Sequence, residues 1–128
     1  MNDSNQIMIQ LINAIIREAE HHLNKSSEFY PFAYAYTKGQ LVPVNVFSGE
    51  ELPSVKEHLS LLSTTLSDKY DTYAIGVNST FRNEETNKPL DVIEIRMVID
   101  GEEYVKCGMP YQLNDKDVVQ TFDLIELE

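Results

Sequence analysis

Two adjacent histidines, His21 and His22, stand close to Glu18 near the end of an apolar-periodic run, and imidazoles beside a carboxylate are the raw material of a zinc site. Helical zinc pairs place two histidines four apart on one face, as in H-E-x-x-H. Neighbouring helical residues diverge by about 100°, so His21 and His22 cannot chelate one ion well. They read instead as a solvated helix C-terminus, where imidazole suits the dipole. His58 lies between Val55 and Leu62 at the margin of a second apolar stripe, the place of a boundary histidine with one hydrogen bond. Cys107 shares an alternating run with Val105 and Met109. No histidine is near it in sequence and Lys106 is directed to the other face, so it reads as a small hydrophobe and not as a nucleophile.

Carboxylates are abundant. Glu50-Glu51, Glu84-Glu85 and Glu102-Glu103 fall in expected loops or turns, where acids are hydrated, whereas acid–base catalysis needs one member desolvated. Glu94 differs: it stands within an alternating run beside Arg96, with Lys106 expected across the ladder. A cross-strand ion-pair set on a solvated sheet face explains that trio. Asp100-Gly101-Glu102-Glu103 is too short for a calcium loop. The densest aromatic cluster is Tyr30, Phe32, Tyr34 and Tyr36. Tyrosine, apolar in body and polar at the tip, can line a pocket or an interface as well as fill a core. Tyr34, Tyr36, Glu94 and Arg96 are therefore the candidate ligand-binding residues. The chain has no Gly-rich phosphate loop, no G-x-S-x-G and no C-x-x-C, so no catalytic group, metal-ligand set or cofactor is expected.

The elements that must position these residues follow from periodicity. Met8, Leu11, Ile12, Ile15, Ala19 and Leu23 recur at helical spacing and predict a helix over about 6–23, capped by Asp3 or Ser4. Ile7, Ile9 and Ile16 widen its apolar stripe, which implies cover on two sides or contact with a second protein chain. Strands are expected over 32–37 and 41–47, joined by a Lys38-Gly39 turn, with Pro43 marking an edge or bulged strand. Ala33 and Ala35 leave room for a helix to approach. A second helix is expected over about 53–68, with Val55, Leu59, Leu62 and Leu66 as its buried stripe and Ser54 and Glu57 at capping-box spacing. Three more strands follow, over 72–82, 90–99 and 103–111, and the tail 118–127 alternates as a short sixth would.

The last hairpin sets a register problem. A two-residue Asp100-Gly101 loop alone would place Ile95 opposite Lys106. An odd-length loop or a bulge pairs Ile95 with Cys107 and Ile93 with Met109, keeping both apolar sets on one face. The second solution is expected. The whole reads as one α+β domain in the order α-β-β-α-β-β-β, an antiparallel sheet of five or six strands with one buried face roofed by two helices. That element order resembles profilin-like and roadblock-like arrangements, which serve many functions.

With 128 residues, 42% apolar and 24% charged, the chain has the composition of a single folded domain. One cysteine permits no intrachain disulfide, and no secretory signal or membrane span is legible, so a cytoplasmic, bacterial setting is the expectation. The formal charge is −11, and from Glu84 onward 12 acids face 4 bases. Such a field repels nucleic acid and anionic lipid surfaces; it favours solubility or a basic protein partner.

Tyr30-Pro31-Phe32-Ala33, Val42-Pro43-Val44, Asp91-Val92-Ile93-Glu94-Ile95, Asp100-Gly101 and Met109-Pro110-Tyr111 together resemble a group of small bacterial proteins to which no activity has been assigned. The resemblance covers about residues 29–111 and implies an α+β domain without carrying over any catalytic residue. The expected function is non-enzymatic and exercised through protein contacts, with a homodimer or a basic protein as partner. One form of it is an acidic immunity or inhibitor protein masking a basic toxin. The alternative is a small-molecule-binding module or weak enzyme with a pocket near the aromatic cluster.

Overall fold

A computed structural model describes residues 4–26, 29–44, 54–82, 89–113, 119–121 and 124–126. The elements run α1 (Ser4–Ser26), β1 (Phe32–Thr37), β2 (Gln40–Val44), α2 (Val55–Lys69), β3 (Tyr73–Arg82), β4 (Pro89–Ile99), β5 (Glu102–Leu113), β6 (Val119–Thr121) and β7 (Ile125–Glu126). The fold is α+β with the expected element order. Its antiparallel sheet is ordered β2-β1-β3-β4-β5-β6, and β7 also pairs with β5. The alternating tail thus yields two short strands on β5 instead of one. Val46 and Phe47 of the expected second strand, Pro53, the loop 83–88, Glu50-Glu51, Glu84-Glu85, Val118 and Leu127 lie outside the described residues.

The two helices lie on opposite faces of the sheet, which corrects the expectation of a single roofed face. Leu11, Ile15, Ala19 and Leu23 of α1 pack with Ala74, Ile93, Ile95, Met97 and Cys107. Leu62 and Leu66 of α2 pack with Ala33, Ala35, Tyr73, Ile75 and Val77. Successive residues of a strand point to opposite sides, so Ala74 and Tyr73 belong to different faces, as do Tyr34 and Ala35. Small residues admit each helix. A Cβ added at Gly76 would meet Ile15 Cγ2 at 2.8 Å and Phe32 Cζ at 3.0 Å, so α1 rests almost directly on the β3 backbone. On the other face Ala33 and Ala35, both buried, do the same for α2. The over-wide stripe of α1 is largely used within the chain: Ile7, Ile12 and Ile16 are partly buried against the first core, and Ile9 alone among the helix isoleucines is exposed.

Turn chemistry and register follow the expectations. Lys38-Gly39 and Asp100-Gly101 both carry positive φ at both residues, as the two-residue hairpin turn matching strand twist requires. Ile99 faces Glu102 across that turn, yet Ile95 faces Cys107 and Ile93 faces Met109. One extra β5 residue opposite Met97 reconciles the two, and the register shift lies between Arg96 and Val98. The bulge keeps the apolar row of β5 on the α1 side. Edge strand β2 carries Pro43, exposed. Ser54 caps α2, its Oγ accepting from Glu57 N at 3.1 Å. Val55 is not part of the α2 buried stripe, which is Leu62 and Leu66; it is 46% exposed.

Candidate functional site

β1 begins at Phe32 opposite Gly76, whereas β3 continues to Arg82 alongside β4. The end of α1, the segment leading into β1 and the start of α2 meet at this step in the sheet. They enclose an open cleft of about 930 Å³ whose lining includes Glu18, His22, Tyr30, Phe32, Val55 and Asn78. Tyr30 is 45% exposed and, like Val55, is a large side chain left unburied at the rim. Three ring contacts shape the walls: His22 to Phe32 at 5.9 Å, Phe29 to Phe32 at 5.5 Å and Tyr30 to His58 at 5.9 Å. His58 therefore sits where expected, at the margin of the α2 stripe, with its ring against Tyr30. Asn78 is held by Tyr111, whose hydroxyl donates to its Oδ1 at 2.8 Å.

Glu18 is the carboxylate of the cleft, and it is engaged. The Tyr34 hydroxyl donates to Oε1 at 2.6 Å, and His22 Nε2 lies 3.5 Å from Oε2. Glu18, His22 and Ser26 stand four apart along α1, the order carboxylate–imidazole–hydroxyl that nucleophilic catalysis uses. Ser26 makes no hydrogen bond to His22 among the described residues, so the relay stops at the imidazole. The helix also presents its carbonyl end here, and a developing oxyanion is disfavoured at that end of the dipole. Binding chemistry, through aromatic faces and one carboxylate, is what the cleft offers. Of the adjacent histidines His21 is exposed, as expected, whereas His22 is half-buried and paired with Glu18.

The four sequence-designated residues fall into two pairs on opposite faces. Tyr34 and Tyr36 lie on the α1 side of β1, Tyr34 packed against the first core. Glu94 and Arg96 lie on the α2 side of β4 and are joined by a hydrogen bond from Arg96 Nε to Glu94 Oε2. The expected solvated sheet face is corrected there: Glu94 is 2% exposed. Ser79 Oγ donates to its Oε1 at 2.9 Å, and Lys106 Nζ lies 3.8 Å from Oε2, so the carboxylate is buried but compensated. Cys107 is buried, in keeping with a packing role. Val55 and Asn78 carry no sequence signal as site residues, and His22 carries one only for metal, although the run Phe29-Tyr30-Pro31 holds a signal, an aromatic side chain at a proline-directed entry to a strand.

Burial, reinforced by the hydrogen bond to Glu18, pushes the Tyr34 hydroxyl up to about 12 from its ordinary value of 10. A folded-state value above the unfolded one adds stability that is complete below pH 10 and disappears as pH rises through 12. Tyr73 and Tyr111 are raised too, chiefly by burial, and act in the same direction. Urea unfolding midpoints measured across this window should fall for the wild type and fall less steeply for Tyr34→Phe. Equal slopes would contradict the Glu18–Tyr34 contact.

Among the described residues no group of three or more His, Cys, Asp or Glu is placed to hold a metal ion, and no helix is long and apolar enough to cross a membrane. At the far end of the sheet, exposed Asp68, Asp71, Asp100 and Glu102 gather where Gly101 N donates to Asp71 O at 2.7 Å. No protein-family model, curated protein or solved structure matches the chain.

Proposed function

We infer that this protein is a binding module that docks a basic protein segment in the sheet-end cleft and performs no catalysis. The observation that carries the reading is the pair of exposed apolar side chains, Tyr30 and Val55, at the rim of this cleft. Exposed aromatic and aliphatic groups beside a partly buried carboxylate suit a partner that inserts an arginine or lysine flanked by an apolar residue. The rings of Tyr30, Phe32 and His22 would face its charge or stem, and Glu18 its charge. The −11 field steers such a partner from a distance, while the cleft anchors it. An inhibitor or immunity-type role against a basic protein is the specific form that this combination supports.

The test is selection from a random peptide library displayed on beads, with the wild type and a Tyr30→Ala/Val55→Ser variant. Basic–apolar sequences should be enriched by the wild type and lost with the variant. Equal enrichment by both would reduce the preference to bulk charge and remove the cleft from the account.

A further inference from the structure

We propose that the shoulder between α2 and the sheet holds a second site, separate from the cleft, that takes a small organic carboxylate. Cross-strand pairing sets Ile75, Arg96 and Lys106 in one row, so a guanidinium and an ammonium stand directly opposite each other on β4 and β5. Like charges in that position repel. Glu94 answers them from the neighbouring row, where it stands between Val77 and Gly108, and its Oε2 contacts both cations. Its other oxygen is taken by Ser79. One carboxylate thus serves two cations in a chain whose total charge is −11.

A cavity of about 190 Å³ opens on this row, lined by Ser63 of α2, Tyr73, Ile75 and Val98 together with Arg96 and Lys106. Arg96 uses Nε on Glu94, which leaves the terminal amines of its fork for a ligand; its side chain is 44% exposed and that of Lys106 33%. The polar groups around the cavity are donors: two cations and the hydroxyls of Ser63 and Tyr73. Its remaining lining is apolar. Donors set beside branched aliphatic carbon suit an anion with a hydrophobic body, and a planar carboxylate suits the arginine fork. The volume equals about six waters' share of liquid, which sets the ligand at the size of a benzoate or a short branched acid.

The probe is sodium benzoate, titrated into the full chain and followed by amide chemical shifts, with benzyl alcohol, inorganic phosphate and sodium chloride as separate arms. Saturable shifts are expected at Ser63, Tyr73 and Val98, with His22 and Tyr30 unmoved, so the outcome is independent of the cleft reading. Benzyl alcohol and chloride should leave those amides in place, and phosphate should bind more weakly than benzoate. Lys106→Gln, which keeps the Glu94–Arg96 pair, and Arg96→Lys, which keeps the charge but not the fork, should each weaken benzoate by about tenfold. Absent or unsaturable shifts, shifts shared with benzyl alcohol, phosphate binding as tight as benzoate, or unchanged affinity in both variants would overturn the proposal.

Discussion

Replacing Arg96 and Lys106 together by methionine is expected to lower stability by about 3–5 kcal/mol, the cost of stranding a buried charge. Both cations contact Glu94 Oε2, and the carboxylate is 2% exposed, so their loss leaves it, among the described residues, with the Ser79 hydroxyl as its remaining side-chain partner. Adding Glu94→Leu should recover much of the loss, because removing all three charges replaces an ion-pair set with apolar packing. Urea unfolding with an unchanged slope measures both steps. A loss below about 1 kcal/mol would place the trio with exposed surface pairs, and the burial of Glu94 would then be wrong.

Ile15→Ala and Leu66→Ala should each cost about 2–5 kcal/mol, as deletions from closed cores do. Both side chains have no exposed area, but Ile15 belongs to the core under α1 and Leu66 to the core under α2. The sheet stands between them. Combining Leu66→Ala with the milder Ile15→Val should therefore add the separate losses within about 0.5 kcal/mol. If both helices shared one face, the two residues would be neighbours and the cycle would show coupling. Chevron or equilibrium data serve equally well, and the single variants report first on whether each core is closed.

Much of this architecture was legible because period-2 and period-3.6 patterns rest on geometry that tertiary context seldom overrides. β1 emerges over the expected residues, and the pairing of Ile95 with Cys107 follows from the cost of turning an apolar row to solvent. Both clues to two-sided burial were also present, in Ala33 and Ala35 on one face and in Ala74 and Gly76 on the other. Each face of a strand read alone is compatible with one buried layer, so neither clue by itself implies the second. Glu94 stands out in the sequence beside Arg96 and Lys106, but its burial does not: a carboxylate in an alternating row reads as solvent-facing until its donors are placed around it. The cleft was the least legible part. It is assembled from the ends of α1, α2 and β1, and where elements end relative to one another is a property of packing that no local pattern encodes.

Cross-saturation from a bound basic peptide, chosen by the library selection, tests the docking claim at residue level. Signal loss is expected at His21, His22, Tyr30 and Val55, around the step where β1 begins and β3 continues. Loss centred on Asp68, Asp71, Asp100 and Glu102 at the opposite end of the sheet, with the cleft amides untouched, would contradict it.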